Sequence, residues 1–189
     1  NWNYSGTESL GALHSLFGFI AFATVLPALF ETTELILAVR LFSKIKLQKK
    51  YRITKTLLHT SMGLGILCFF LPILLPKFAF PLVWLSFLLI LDPINYMNKQ
   101  PSIIGHLKNG RLTVPLSLLL SGIILGFLWE FWNYYAVIKW TYDVPFVGFF
   151  KIFEMPILGY LGYFPFALEL YAMFWFIRSL VYHKERMLD

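Results

Sequence analysis

Charge is what this sequence has least of. Of its 189 residues only 14% are Asp, Glu, Lys or Arg, against 58% apolar and 19% aromatic, and the mean hydropathy is +0.68. Soluble domains carry about 25% charged residues. There is too little polar surface here to cover a water-exposed globule, which excludes a soluble enzyme and a disordered tail. Cysteine is almost missing as well: the lone Cys68 can close neither an intramolecular disulfide nor a multi-thiolate metal site. The four histidines, His14, His59, His106 and His183, are too few for the His-rich di-iron boxes of membrane desaturases. No Walker loop, Rossmann glycine fingerprint or GxSxG elbow is present, and no internal repeat of the kind an inverted-repeat transporter shows. What is there is an integral membrane protein: an all-α, polytopic helix bundle forming one transmembrane domain over residues 1–189. The chain begins at Asn1 rather than a methionine, which leaves an upstream N-terminal part open.

A bilayer core of roughly 30 Å takes about 20 apolar residues in helical form. Five stretches meet that requirement, at about 10–42, 56–75, 78–97, 112–138 and 161–180, the first interrupted by Pro27, Glu31 and Glu34. The basic residues sort the connections. All of the 16 except Lys77, Lys139 and Lys151 fall in the Arg40–Lys55 connection, in the 98–112 connection or at the C-terminus. Five spans put those three regions on one side, which the positive-inside rule makes cytoplasmic. The N-terminus is then outside and the C-terminus inside. The formal charge of +6 is accordingly a topological signal. No nucleic-acid partner is expected, and the Arg40–Lys55 run is expected to attract anionic lipid headgroups.

Residues 144–160 are too apolar for a solvated loop, yet Pro145, Gly148, Pro156 and Gly159 interrupt them. They read as an interfacial helix or a re-entrant hairpin, with Lys151 and Glu154 as one narrow polar stripe. Irregular backbone at membrane depth is tolerated where it is buried in protein or lines a cavity, so a cavity is expected nearby.

Several of the ten acids stand where apolar residues should. Glu31, Glu34, Asp92, Glu130 and Glu169 lie within or at the ends of the spans, and Glu154 lies in the irregular segment. A carboxylate at the bilayer centre costs about 2.5–3.5 kcal/mol on insertion scales, so such groups are paired, protonated or turned towards a wet cavity. Glu130 shares a helical stripe with Gly122, Gly126, Asn133 and Tyr134, and small residues let helices approach closely; it should face the bundle interior. Glu169 shares a stripe with Gly162, Ala172 and Met173, and Glu31 one with Thr24, Pro27, Ala28 and Ala38. These faces too are expected to point inward. Ion pairs are the alternative for all of them, to Lys139 or Lys151 at one end and to Arg40, Arg111 or Arg178 at the other. Glu31, Glu34, His59 and Asp92 are weak candidate metal ligands, since no span carries a carboxylate-x-x-His pair.

The run Trp129-Glu130-Phe131-Trp132-Asn133-Tyr134, followed by Phe153-Glu154-Met155-Pro156 and Pro165-Phe166-Ala167-Leu168-Glu169, has a familiar pattern, with Leu91-Asp92-Pro93-Ile94-Asn95-Tyr96 before it. It resembles a family of small bacterial integral membrane proteins marked by these WEFWNY, FEMP and PFALE motifs. The resemblance implies a bacterial inner membrane and brings neither an activity nor a cofactor with it.

Three functions fit this sequence. One is a membrane-embedded acid/base enzyme acting on a lipid or isoprenoid substrate. Glu130, Glu169 and Glu154 would be its acid/base groups, and Trp129, Trp132, Asn133, Tyr134 and Trp140 would contact substrate, the ring faces steadying positive charge. A proton-coupled transporter would use the same carboxyls as a relay. A structural or assembly subunit would use them in ion pairs.

Overall fold

A computed structural model describes residues 2–5, 12–47, 52–145 and 148–186. Leu10, Lys49, Lys50, Phe146 and Val147 therefore lie outside the described residues, and of His14 and His183 the backbone alone is described.

A short strand, β1 (Trp2–Ser5), precedes α1 (Ala12–Ala23) and α2 (Val25–Ala38). Pro27 supplies no N–H to the carbonyl four residues back, and the two helices meet at Thr24, whose hydroxyl donates to the Ala21 carbonyl at 2.7 Å. Next come α3 (Lys55–Leu74), α4 (Pro76–Ala79), a 3-10 turn at Phe80–Leu82 and α5 (Val83–Met97). The Thr54 hydroxyl caps α3 by accepting from the Leu57 amide. Pro93 interrupts the hydrogen-bond ladder of α5, and the Ser61 hydroxyl of α3 donates to the Leu89 carbonyl that it orphans, at 3.0 Å. The chain continues with α6 (Ile103–Lys108), α7 (Thr113–Tyr135), β2 (Lys139–Tyr142), β3 (Lys151–Ile152), β4 (Met155–Pro156), a 3-10 helix at Ile157–Gly162 and α8 (Tyr163–Arg186).

Five helical stretches, Ser15–Ala38, Lys55–Leu74, Pro76–Met97, Thr113–Tyr135 and Ile157–Tyr182, are long and apolar enough to cross a membrane. The protein is thus an all-α, multi-pass membrane helix bundle. The helices form a row: α3 packs on α5, α5 on α8, α8 on α7 and α7 on α2. α8 sits in the middle, touching both neighbours that carry buried carboxylates. Large apolar side chains such as Leu64, Leu67, Phe70 and Leu74 of α3 stay exposed, as the lipid-facing side of a bundle requires. The close helix contacts fall at small residues. A Cβ on Gly65 would lie 2.8 Å from the Ser86 carbonyl oxygen, and one on Gly122 would lie 2.6 Å from that of Tyr163.

Both basic connections lie at one end of the bundle, where Lys46 and Arg111 form an isolated antiparallel bridge. Gly110, at φ 69°, permits the approach: a Cβ there would lie 2.9 Å from the Leu47 carbonyl oxygen. The opposite end carries β1 paired antiparallel with β2, Tyr4 opposite Trp140, and the β3–β4 ladder. Residues 144–160 thus contain no α-helix among the described positions. Positive φ values at Phe150 and Phe153 turn the chain instead into a two-residue ladder and a 3-10 helix.

One inward face expected from the sequence is corrected. On α2 the buried stripe is Val25, Leu29, Thr33 and Ile36, while Glu31, Glu34, Thr24, Pro27 and Ala38 are exposed. α2 meets α7 through a polar seam: the Thr33 hydroxyl donates to Ser121 Oγ at 2.9 Å, and Ser121 donates to the Ser117 carbonyl at 2.8 Å. Seams of this kind, rather than apolar periodicity, mark the packed face of a helix surrounded by lipid.

Candidate functional site

Glu130 ends the stripe on α7 that runs through Gly122 and Gly126, and it is fully buried. The two glycines clear the space that Tyr163 fills: a Cβ on Gly126 would run into the Tyr163 ring. So placed, the Tyr163 hydroxyl donates to Glu130 Oε1 at 3.0 Å. From the other side the Tyr142 hydroxyl donates to the same oxygen at 2.6 Å. The Trp140 indole N–H donates to the Tyr142 oxygen at 2.8 Å and reaches Glu130 Oε1 at 3.5 Å. Glu130 Oε2 is buried with no hydrogen-bond partner among the described residues.

Asn133, one turn on, fixes the strand that supplies Tyr142. Its amide accepts from the Trp140 N–H and donates to the Trp140 carbonyl, both at 2.9 Å. That pair copies a β-ladder with a side chain, and it locks β2 to the end of α7. Burial, then the neighbouring Tyr163 and Glu130, push the Tyr142 phenol far above its ordinary pKa of 10.0. Tyr142 is therefore a neutral hydroxyl that donates to Glu130, not a phenolate.

These tyrosines form one wall of a cavity of about 640 Å³, within the usual size range of small-molecule sites. Phe22 of α1, Trp84 of α5, Trp129 of α7 and Phe166 of α8 supply much of the rest. Trp84 and Phe166 meet edge to face, with ring centroids 5.0 Å apart. Tyr4 of β1 closes the strand side, its ring T-shaped against Trp140 at 6.5 Å. Among the described residues no Lys, Arg, His, Asp or Glu lines the cavity; Glu130 stands directly behind its tyrosine wall.

The residues singled out in the sequence divide as follows. Trp129 and Trp140 line the cavity, and Asn133 supports it. Trp132, 61% exposed, and Tyr134 lie on the bundle surface and are not in the cavity wall. Tyr134 instead lies beneath Lys139, whose Nζ is 5.1 Å from the ring centroid. Glu154 pairs with that lysine at 2.7 Å, one of the ion pairs the sequence offered. Glu169 is buried but belongs to another contact, accepting the Phe87 N–H at 3.0 Å near the start of α5. Of the three candidate acid/base carboxyls, Glu130 is thus the one whose hydrogen-bond partners line the cavity.

The weak metal candidates do not gather. Glu31, Glu34 and His59 are exposed. Asp92 is buried and accepts the Ile103 and Ile104 amides at 2.6 and 2.9 Å, capping α6 with both oxygens. No group of three or more His, Cys, Asp or Glu side chains comes together among the described residues. Tyr142 and Tyr163 were missed as functional residues. The signal for Tyr163 was the Gly122–Gly126 gap, which calls for a bulky side chain from the facing helix; Tyr142 depends on the fold of β2, which the sequence pattern does not disclose. No protein-family model, no curated protein and no solved structure matches this chain.

Proposed function

We propose that this protein is a membrane-embedded acid/base enzyme acting on a lipid or isoprenoid held in the aromatic cavity. Its place would be the bacterial inner membrane, with the N-terminus and the cavity on the outer side. One observation carries this reading. A single oxygen of a buried carboxylate gathers three donors, from Tyr142, Tyr163 and Trp140, all of them from the wall of an apolar cavity. A structural carboxylate has no need to draw all its partners from a cavity wall. The chemistry is proton transfer through a phenol. As a ligand proton passes to a tyrosine oxygen, that tyrosine's own proton passes to Glu130, and the reverse sequence returns it. Tyr142 and Tyr163 touch the ligand in this scheme, while Glu130 holds the proton and positions both hydroxyls.

The test compares lipids co-purified with wild-type protein and with Glu130→Gln, which keeps an acceptor for the tyrosines and loses the exchangeable proton. The expected result is an unchanged thermal midpoint and a shift of the bound lipid from product to precursor, with Glu130→Asp restoring part of the product and shifting the pH profile of turnover. An identical lipid pattern on folded Glu130→Gln protein would overturn the assignment.

A second reading, a subunit of a membrane assembly, is favoured by Glu31 and Glu34. Both stand exposed on α2 within a span of membrane-crossing length, where acids ordinarily face protein. A stable homo- or hetero-oligomer in mild detergent, lost in Glu31→Leu/Glu34→Leu, is its expected signature.

A further inference from the structure

The glycines of this molecule fall into two groups, and one group measures the cavity. At Gly65, Gly122, Gly126 and Gly159 a Cβ would collide with an atom of the facing Ile90, Tyr163 or Met155, so each is a point of close packing. Gly18 and Gly162 line the cavity, and a Cβ on either would meet nothing within 4 Å among the described residues. Neither has a positive φ. Gly18 stands inside α1, where glycine costs stability relative to alanine, and no close helix contact offsets that cost. What these two glycines leave is open volume, and they leave it on two different elements, α1 and the 3-10 helix at Ile157–Gly162.

That volume sets a capacity. A benzene fills an apolar cavity of about 150 Å³, about 25 Å³ for each carbon, so the 640 Å³ here have room for about 25 carbons. A chain that enters from the bilayer exchanges one hydrocarbon for another and gains no hydrophobic free energy. Its preference for the cavity comes from close contact with rigid rings such as Trp84 and Phe166, each carbon in contact adding a little. Carbons beyond the capacity stay in the bilayer and add nothing. We infer that the cavity is a pocket for one hydrocarbon chain of about 20–25 carbons, the bulk of a diterpenoid rather than of a two-chain phospholipid, and that Gly18 and Gly162 set its capacity. This rests on the reading of the cavity as a lipid site, and it gives the substrate of that site a size.

The experiment loads the full chain in nanodiscs with equimolar geraniol, farnesol, geranylgeraniol and solanesol, prenols of increasing length with one common headgroup. Native mass spectrometry of the released protein gives the amount of each prenol bound, which is divided by its amount in the nanodisc lipid. That ratio should rise from geraniol to geranylgeraniol and rise no further at solanesol, with one prenol on each protein. Gly18→Leu/Gly162→Leu should cut the room to about 17 carbons, enough for farnesol and short of geranylgeraniol. The geranylgeraniol ratio should then fall at least about fivefold, as overpacking a fitted site does, and the farnesol ratio should hold. Gly63→Leu adds bulk to an exposed position of α3 outside the cavity and should change neither. Where the leucines lower farnesol as well, Gly18→Val/Gly162→Val makes the same comparison with less bulk. A geranylgeraniol ratio unchanged by both double substitutions, a solanesol ratio above that of geranylgeraniol, or two prenols on one protein overturns the capacity while leaving a lipid site in place. Retention of no prenol by the wild-type protein overturns the lipid site itself.

Discussion

Asp92 and Glu169 are both buried acids in membrane-length helices, and their partners give them different sensitivities. Asp92 uses two oxygens on two amides, so Asp92→Asn must turn an NH₂ towards one backbone N–H. The expected loss is about 2–3 kcal/mol, the value of a charge-assisted bond replaced by an unsatisfied donor, read as a lower thermal midpoint in detergent. Glu169 uses one oxygen on the Phe87 amide, and Glu169→Gln keeps that acceptor. Its expected change is within about 1 kcal/mol, with the lipid pattern intact; loss of lipid turnover in a folded Glu169→Gln protein would return Glu169 to the catalytic set. His106 gives the pH dependence. Its ring nitrogen lies 3.1 Å from the Tyr171 hydroxyl, and burial, then the charge of Arg111, hold its pKa below the ordinary 6.5. The unfolded chain therefore gains this proton before the folded one does. The stability it contributes is complete above pH 6.5 and declines as pH falls towards the lower folded value. Thermal midpoints measured from pH 8 to pH 5 should fall on the acid side for wild type, and less steeply for His106→Gln.

At the scale of elements, the decisive contact is α7 against α8. The stripe Gly122, Gly126, Glu130 and Asn133 was legible in the sequence, because in a membrane helix a run of small and polar residues at i, i+4 spacing is unlike everything around it, and all four are buried. Glu31 was misread because its companions Thr24, Pro27 and Ala38 are exposed with it. α2 packs through Leu29 and Thr33 instead, and Thr33 stands between Thr32 and Glu34 in the sequence, where nothing singles it out. The prediction that belongs here is Gly126→Ala. Its Cβ would displace the Tyr163 ring, at a cost of about 1–3 kcal/mol for overpacking, and would break the Tyr163–Glu130 bond with it. The measurement is the thermal midpoint together with the yield of co-purified lipid, and both should fall. Gly63→Ala is the control: a Cβ there meets nothing within 4 Å, so a helix position gains propensity and neither quantity should drop.

Across the whole molecule, hydropathy and charge counting reached further than any motif. Five stretches of apolar residues became five membrane-length helices, with their ends shifted by a few residues, Pro76 opening the third and Pro156 preceding the fifth. The basic connections fell together at one end because Leu47 N–H donates to the Gly110 carbonyl at 3.1 Å, a pairing that places 45–47 beside 109–111. The cavity was foreseen as a consequence of irregular backbone in 144–160, with Trp129 and Trp140 of its wall, but Tyr4 and Tyr142 were not, since β1 and β2 pair across more than 130 residues of chain and no local pattern announces that pairing. Orientation follows from the same charges. If the basic end is cytoplasmic, single cysteines at Lys44 and Asn109, both exposed, should react with a membrane-impermeant maleimide only after the inner membrane is opened. A cysteine at exposed Asp143, beside the cavity strand β2, should react in intact spheroplasts. All three would be placed in a Cys68→Ala background, the only native thiol being that one. Labelling of Lys44→Cys from outside would invert the bundle and move the cavity to the inner leaflet, where the lipids available to it would be those of the cytoplasmic side.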